Sequence, residues 1–175
     1  MHGKRPALIG LAFLVCLMLS YYANTFFFRI LNISFQNPLL FFLMILINNI
    51  TVISLILLGM TFYVSLVISN FFKREEYAYI VLDHPRAFAI VFALVIILLS
   101  ILRGANLFLG RIIVEALPLI LLVSAPIAII EGYGIYFTIQ KTLRRTMSLK
   151  DLVYAYGIFL VAALVEVSFI HLLTM

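Results

Sequence analysis

Long apolar runs separated by short polar segments dominate the chain. A helix that crosses a bilayer needs about 20 mainly apolar residues. The run from Leu39 to Phe72 would make roughly 51 Å of helix, well over the ~30 Å hydrocarbon thickness. We therefore divide it into a buried or re-entrant lead-in at 39–47 and a separate span. The five predicted spans are about 7–22, 50–69, 87–102, 112–140 and 152–173.

This pattern predicts an all-α fold, a polytopic membrane helix bundle with about five transmembrane helices in one domain over residues 1–175. Pro118 and Pro126 fall inside the fourth span, where they remove backbone donors and predict kinks. The first run follows basic residues as a secretory signal would, but Ser20-Tyr21-Tyr22 is a poor cleavage site. We therefore expect this run to remain as the first helix.

Composition strengthens the membrane prediction. Hydrophobic residues make up 66% of the 175 and charged residues 11%, with a mean hydropathy of +1.23. A soluble domain of this size cannot cover so much apolar surface, so we expect the lipid bilayer around it and the cell membrane as its location. The net charge of +5 does not indicate nucleic acid, because the basic residues lie in short clusters between apolar runs. The single Cys16 excludes an intramolecular disulfide.

The distribution of Lys and Arg predicts the orientation, because cytoplasmic loops carry an excess of both. With the N-terminus inside, nine basic residues fall on the inner side and three on the outer side. The inner set is Lys4, Arg5, Lys73, Arg74, Arg86, Lys141, Arg144, Arg145 and Lys150. The outer set is Arg29, Arg103 and Arg111. The count therefore predicts an N-in, C-out protein.

Ionisable residues inside the apolar runs are the first candidates for function, since a charge at the midplane costs roughly 2.5–3.5 kcal/mol. Glu115 and His171 lie near outer helix ends and are interpreted as snorkelling residues. Glu131 and Glu166 lie deeper, roughly 15 and 21 Å from the inner edge, little more than one turn apart. If the fourth and fifth helices are neighbours, the two carboxyl groups could share a site. It is either a proton or ion site or a hydrogen-bonded pair that holds the bundle together, and we slightly favour the second.

Two adjacent amides, Asn48 and Asn49, stand in the middle of an apolar run and need hydrogen-bond partners there. They are expected either to cap the second helix or to hydrogen-bond to Glu166 across the bundle, and we favour a structural role. The predicted buried polar network, structural or ion-coupling, is Asn48, Asn49, Glu131 and Glu166.

Other motifs add little chemistry. Gly132-Tyr133-Gly134 lets the backbone bend or approach a neighbour closely. Asn32-Ile33-Ser34 fits the N-glycosylation pattern in a loop predicted to lie outside, with Asn32 as acceptor. The sequence has no Walker loop, nucleophile elbow or zinc-ligand spacing, so we predict no catalytic residue, no metal and no cofactor.

Three segments together resemble the stage II sporulation protein M family, a group of small five-span membrane proteins. Ile47-Asn48-Asn49-Ile50, with Gly59 ten residues after Asn49, looks like the family's Asn-Asn segment. Pro126-Ile127-Ala128-Ile129-Ile130-Glu131 is similar to the family's Pro-His-Gly-Ile-x-Glu, with Ile-Ala in place of His-Gly. Leu160-Val161-Ala162-Ala163-Leu164-Val165-Glu166 looks like its closing Ala-Ala-x-x-Glu helix. Order and approximate spacing agree over residues 40–171.

The resemblance implies a membrane scaffold rather than an enzyme, since the family's namesake anchors peptidoglycan-degrading partners during engulfment. The leading hypothesis is a non-enzymatic scaffold or assembly subunit that docks other membrane or envelope proteins, or further copies of itself. One alternative is a small permease or transporter subunit that uses Glu131 and Glu166 as a proton- or ion-coupling pair. Another is an accessory subunit of a respiratory or other large membrane complex.

Overall fold

The structure, a computed structural model, describes residues 10–12, 14–19, 22, 37–69, 71, 76–109 and 117–174. Nearly all of these residues are helical, and no strand occurs among them. The long segments form α1 (Pro38–Ile68), α2 (Glu76–Asp83), α3 (Pro85–Leu109), α4 (Leu117–Leu143) and α5 (Leu149–Thr174). Residues 10–12, 14–19 and 22 are helical as well. The all-α prediction is confirmed for this part of the chain.

The first long helix, α1, is continuous through the whole predicted lead-in and second span. It starts at a strong cap, because the side-chain oxygen of Asn37 accepts hydrogen bonds from the amides of Leu39 and Leu40, at 3.1 and 3.2 Å. Because α1 continues without a break past residue 47, the predicted division into a lead-in and a separate span is wrong. Bilayer thickness does not limit helix length, since a long helix can tilt or extend beyond the hydrocarbon.

A short helix, α2, occupies part of the polar segment between the second and third predicted spans. Its end leads directly into α3, with the amide of His84 donating to the carbonyl of Ile80 at 2.9 Å. Pro85 has no amide proton, so α3 begins there without losing a helical hydrogen bond. The hydroxyl of Tyr79 donates to the carbonyl of Val67 at 3.4 Å, which ties α2 to the end of α1.

The turn between α4 and α5, residues 144–148, begins with a Schellman motif. The amide of Thr146 donates to the carbonyl of Lys141 at 3.1 Å, and the amide of Arg145 donates to the carbonyl of Thr142 at 3.0 Å. Arg145 adopts the left-handed conformation, φ 57°, that glycine usually supplies at this position. The motif satisfies the last carbonyls of α4 and reverses the chain.

A capping box starts α5. The hydroxyl of Ser148 accepts a hydrogen bond from the amide of Asp151 at 3.2 Å, and the Asp151 carboxylate accepts from the amide and hydroxyl of Ser148 at 3.0 and 2.6 Å. Lys141 Nζ lies 3.0 Å from the second carboxylate oxygen, Oδ1. The last turn of α4 is therefore fastened to the first turn of α5.

The central helix is α4, which packs against α1, α3 and α5. Its two glycines lie at close approaches, because a Cβ at Gly132 would overlap Cδ1 of Ile97 in α3, and one at Gly134 would lie 2.7 Å from the Phe159 ring in α5. The predicted close approach at this segment is confirmed. The main apolar cluster contains Ile53, Ile56, Val64, Ala89, Ala93, Ile135, Ile139, Leu143 and Phe159.

Chain length requires α3 and α4 to run antiparallel. Ile97 and Gly132 lie at the same level in the two helices. In a parallel pair, Leu109 and Leu117 would then be roughly 40 Å apart along the axis at 1.5 Å per residue. The eight peptide units between those residues span at most about 29 Å, so the parallel arrangement is excluded.

Paired contacts show that α1 also runs antiparallel to α5. Ser54 contacts Tyr156, and nine residues earlier in α1 Ile45 packs with Ala163, seven residues later in α5. Because α4 and α5 form an antiparallel hairpin, α1 is parallel to α4. The long helices therefore alternate in direction along the chain, as the membrane prediction requires.

Large apolar side chains cover the outward faces of the helices. Leu94 and Val91 of α3 are 60% and 62% exposed, and Ile129 of α4 is 70% exposed. Among the described residues, two helices are long and apolar enough to cross a membrane, Leu39–Ile68 and Leu149–Ser168. The number of five spans stays a prediction.

Candidate functional site

The interior face of α4 carries Glu131. Ile135, Thr138 and Thr142 follow it at four, seven and eleven residues, and all three are buried. Because a helix repeats every 3.6 residues, this spacing turns Glu131 toward the centre of the bundle. The Glu131 side chain is half-buried there.

The facing helix, α1, presents Asn49, which is only 6% exposed. Asn49 lies in a buried stripe with Ile45 and Ile53, one turn before and one turn after it. Its amide group faces the carboxyl group of Glu131 across the contact between α1 and α4. Its buried Nδ2 atom lies within reach of that carboxyl group but does not meet full hydrogen-bond geometry with any described group.

Position along α1 excludes one of the two predicted roles of Asn48 and Asn49. Asn48 and Asn49 are the eleventh and twelfth residues of α1, so the capping prediction is wrong, and Asn37 caps the helix instead. Asn49 lies beside Glu131, and its predicted hydrogen bond to Glu166 stays a prediction. Asn48 is half-buried.

The register of the α4–α5 hairpin locates Glu166 relative to Glu131. Three contacts set that register: the ion pair of Lys141 with Asp151, the edge-on rings of Phe137 and Tyr154 with centres 5.1 Å apart, and Gly134 against Phe159. Continued along the hairpin, it puts Ala162 opposite Glu131. Glu166, half-buried, is then one turn further, roughly 6 Å along the axis.

Two apolar clusters enclose the contact between Asn49 and Glu131. The main cluster includes Ile53, and a second cluster contains Phe41, Ile45 and Ala163. Asn49 lies between them on α1. The surrounding apolar side chains exclude water, which strengthens a hydrogen bond between the two groups. They also increase the free-energy cost of a polar group that is left unpaired.

A second polar contact, absent from the predicted site, joins α1 to α5. The hydroxyl oxygens of Ser54 and Tyr156 lie 2.8 Å apart, and the Ser54 hydroxyl donates to the carbonyl of Ile50 at 2.7 Å. Single Ser and Tyr residues are common in apolar helices, so the sequence carries no signal for this pair. It joins α1 to α5 through polar groups, whereas the polar contact of α1 with α4 is that of Asn49 with Glu131.

The buried threonines of α4 behave differently from Glu131. The hydroxyl of Thr138 donates to the carbonyl of Gly134 at 2.8 Å, and that of Thr142 to the carbonyl of Thr138 at 2.7 Å. These side chains are satisfied within their own helix. Asn49 and Glu131 instead face each other across two helices, which makes them the candidate site of the described interior.

The remaining predicted residues contribute less. Pro126 lies in the interior of α4, and Pro118 is the second residue of the described helix. The kinks at both prolines stay predictions. Asn32 and Glu115 lie outside the described residues, as does the side chain of His171.

The described residues bring no three His, Cys, Asp or Glu side chains together as metal ligands. Comparison with known protein families, characterised proteins and solved structures finds no match to the chain. The resemblance to the stage II sporulation protein M family therefore rests on its three sequence segments. Two of those segments meet in the bundle, one at Asn49 and the other at Glu131.

Proposed function

We propose that the chain is an integral, multi-pass protein of the cell membrane and a non-enzymatic scaffold that docks other membrane or envelope proteins. The observation that carries the membrane placement is the broad apolar surface on the outward helix faces. Water-soluble monomers rarely leave such patches uncovered, whereas lipid solvates them. The helix α1, with 31 residues and about 46 Å of length, can cross the hydrocarbon with tilt.

The proposal includes five spans, with the N-terminus and the α4–α5 turn on the cytoplasmic side. The alternating directions of the four long helices support it. Antiparallel packing also brings Arg86 to the same end of the bundle as Arg144, Arg145 and Lys150, as a cytoplasmic face requires.

Cysteine labelling tests this orientation. A Thr146→Cys variant on a Cys16→Ser background is treated in intact cells with a membrane-impermeant thiol reagent. We expect labelling only after the membrane is opened. Labelling in intact cells would place the turn outside and contradict the orientation.

The scaffold role is supported by the division of polar and apolar groups. The contact of Asn49 with Glu131 and that of Ser54 with Tyr156 lie between helices of the chain itself. The outward surface of the described bundle is broad and apolar, which suits side-by-side packing with helices of other membrane proteins. The family resemblance supports the same role.

Co-purification tests the scaffold role directly. The tagged chain is isolated in mild detergent at native expression level, and its companions are identified by mass spectrometry. We expect a stable partner from the membrane or envelope in fixed ratio to the chain. Recovery of the chain alone would contradict docking, and recovery as a homo-oligomer would restrict docking to copies of itself.

A second candidate function is a small permease or transporter subunit. It is favoured by the incompletely bonded amide of Asn49 beside a carboxyl group in an apolar interior, since intramembrane ionisable groups often bind protons or ions. It predicts pH-driven flux in proteoliposomes that Glu131→Gln and Glu166→Gln abolish while the protein stays folded. The scaffold predicts that both variants assemble with partners as the wild type does. pH-driven flux that persists in the double variant would contradict the coupling pair.

A further inference from the structure

An apolar groove of about 250 Å³ runs along the outward side of the contact between α3 and α4. Its floor includes the buried residues Ala93 and Gly132, whose small size lets the two helices approach closely. Its walls include Leu94, Ile129 and Tyr133, each about half exposed or more. The volume is below the ~300–1,000 Å³ of sites that enclose a drug-sized ligand, so the groove suits a narrow, flexible chain.

Two arginines extend the walls of the groove at one end. Arg86 precedes the lining residues Ile90 and Leu94 by one and two turns on the same face of α3. Arg144 follows Tyr133 by eleven residues, three turns on the same face of α4. The amide of Arg144 still donates to the carbonyl of Gln140 at 3.1 Å, so helical geometry reaches this residue.

The antiparallel register puts the two arginines at the same level. Arg86 lies eleven residues before Ile97, and Arg144 lies twelve residues after Gly132, which contacts Ile97. Both arginines are therefore roughly 17 Å from that contact in the same direction. Both are exposed.

Three acidic residues among those described belong to the segments at this end: Glu76 at the start of α2, Asp83 and Asp151. Asp83 is exposed at the end of α2, three residues before Arg86. Asp151 is held by Lys141 and Ser148. The described basic residues at this end outnumber these acids: Arg86, Lys141, Arg144, Arg145 and Lys150. The apolar groove therefore ends at a cationic part of the surface.

We propose that the groove binds an acyl chain of an anionic phospholipid whose phosphate group lies between Arg86 and Arg144. Charge complementarity selects this occupant, because guanidinium groups donate paired hydrogen bonds to phosphate oxygens. A partner helix would fill the apolar channel without using the two cations. Basic pockets between helices at the cytoplasmic side bind such headgroups. The inference rests on the proposed membrane insertion and orientation.

Native mass spectrometry of the full chain in a zwitterionic detergent tests the site, with phosphatidylglycerol or phosphatidylcholine added. We expect retention of about one phosphatidylglycerol per chain and at least about tenfold weaker retention of phosphatidylcholine. Arg86→Gln and Arg144→Gln should each weaken phosphatidylglycerol binding about fivefold, the effect of one arginine near an anionic headgroup, and the double variant about 25-fold.

Matched controls separate the site from general attraction. Arg145→Gln removes the same charge from a residue in the left-handed turn, off the groove face, and should change retention less than about twofold. Leu94→Trp fills the groove and should reduce retention, whereas Val91→Trp, equally exposed on the same helix and outside the lining, should not. Circular dichroism verifies that each variant is folded.

Three results would overturn the lipid site: equal retention of both lipids, equal loss in Arg144→Gln and Arg145→Gln, or equal effects of the two Trp variants. Release of the wild-type chain from membranes by alkaline carbonate would instead overturn membrane insertion. The two failures are thus distinguishable.

Discussion

Polar side chains are paired differently in two regions of the molecule: the turn between α4 and α5, and the interior contact between α1 and α4. At the turn, Asp151 accepts hydrogen bonds from Ser148 and also pairs with Lys141. In the interior, Nδ2 of Asn49 faces Glu131 without completing a hydrogen bond. Water can replace a lost partner at an exposed turn but not between apolar helices. We infer that the turn stabilises the hairpin, while the interior contact specifies which helices meet.

The largest loss of stability is expected from a bulky side chain placed at the close contact between α4 and α5. Gly134→Leu would drive a side chain into Phe159 and should lower the free energy of unfolding by about 3 kcal/mol, the upper range for overpacking. The measurement is a titration of the detergent-solubilised protein with sodium dodecyl sulfate. Gly157→Leu is the matched control, because a Cβ there meets nothing within 4 Å. An equal decrease in the free energy of unfolding in both variants would show that the close approach of the helices at Gly134 does not contribute to stability.

At the turn, Ser148→Ala should lower the free energy of unfolding by about 1–2 kcal/mol, because it removes a helix cap and a partner of Asp151. The same titration measures it, with Thr146→Ala, exposed in the same turn, as the control. Similar stability of the two alanine variants would mean that the capping box contributes nothing.

The left-handed residue of the turn should respond in the opposite direction. Arg145→Gly relieves a conformation unfavourable for a residue with a Cβ, so it should raise the free energy of unfolding by about 1 kcal/mol. Arg144→Gly, one residue earlier with helical hydrogen bonding, should lower it by about 1 kcal/mol. Changes of the same sign in both variants would be inconsistent with the Schellman geometry.

Most of the helical architecture could be predicted because apolar runs and polar breaks are local properties of the chain. The predicted spans at 87–102 and 152–173 each fall within one observed helix, and the described part of the predicted span at 112–140, residues 117–140, falls within another. The continuity of α1 could not be predicted from bilayer thickness, because a helix ends where its hydrogen bonding ends. Asn37, with its capping side chain, was the available signal for where α1 begins.

The sequence could predict which residues belong to the site, but not which of them contact each other. Asn49 and Glu131 stand out because each is polar within an apolar run. Their meeting depends on the direction and register of α1 against α4, which packing far along the chain determines. The contact of Ser54 with Tyr156 depends on the same register and has no local signal.

A double-mutant cycle between Asn49 and Glu131 tests the central claim that this contact is a structural link between α1 and α4. Asn49→Leu, Glu131→Leu and the double variant are unfolded with sodium dodecyl sulfate, and Asn48→Leu replaces Asn49→Leu in a control cycle. We predict a coupling free energy of about 1 kcal/mol for the Asn49 cycle, typical of polar contacts between membrane helices. The control cycle should be additive within about 0.5 kcal/mol. Additivity in both cycles would contradict a structural link between these two helices.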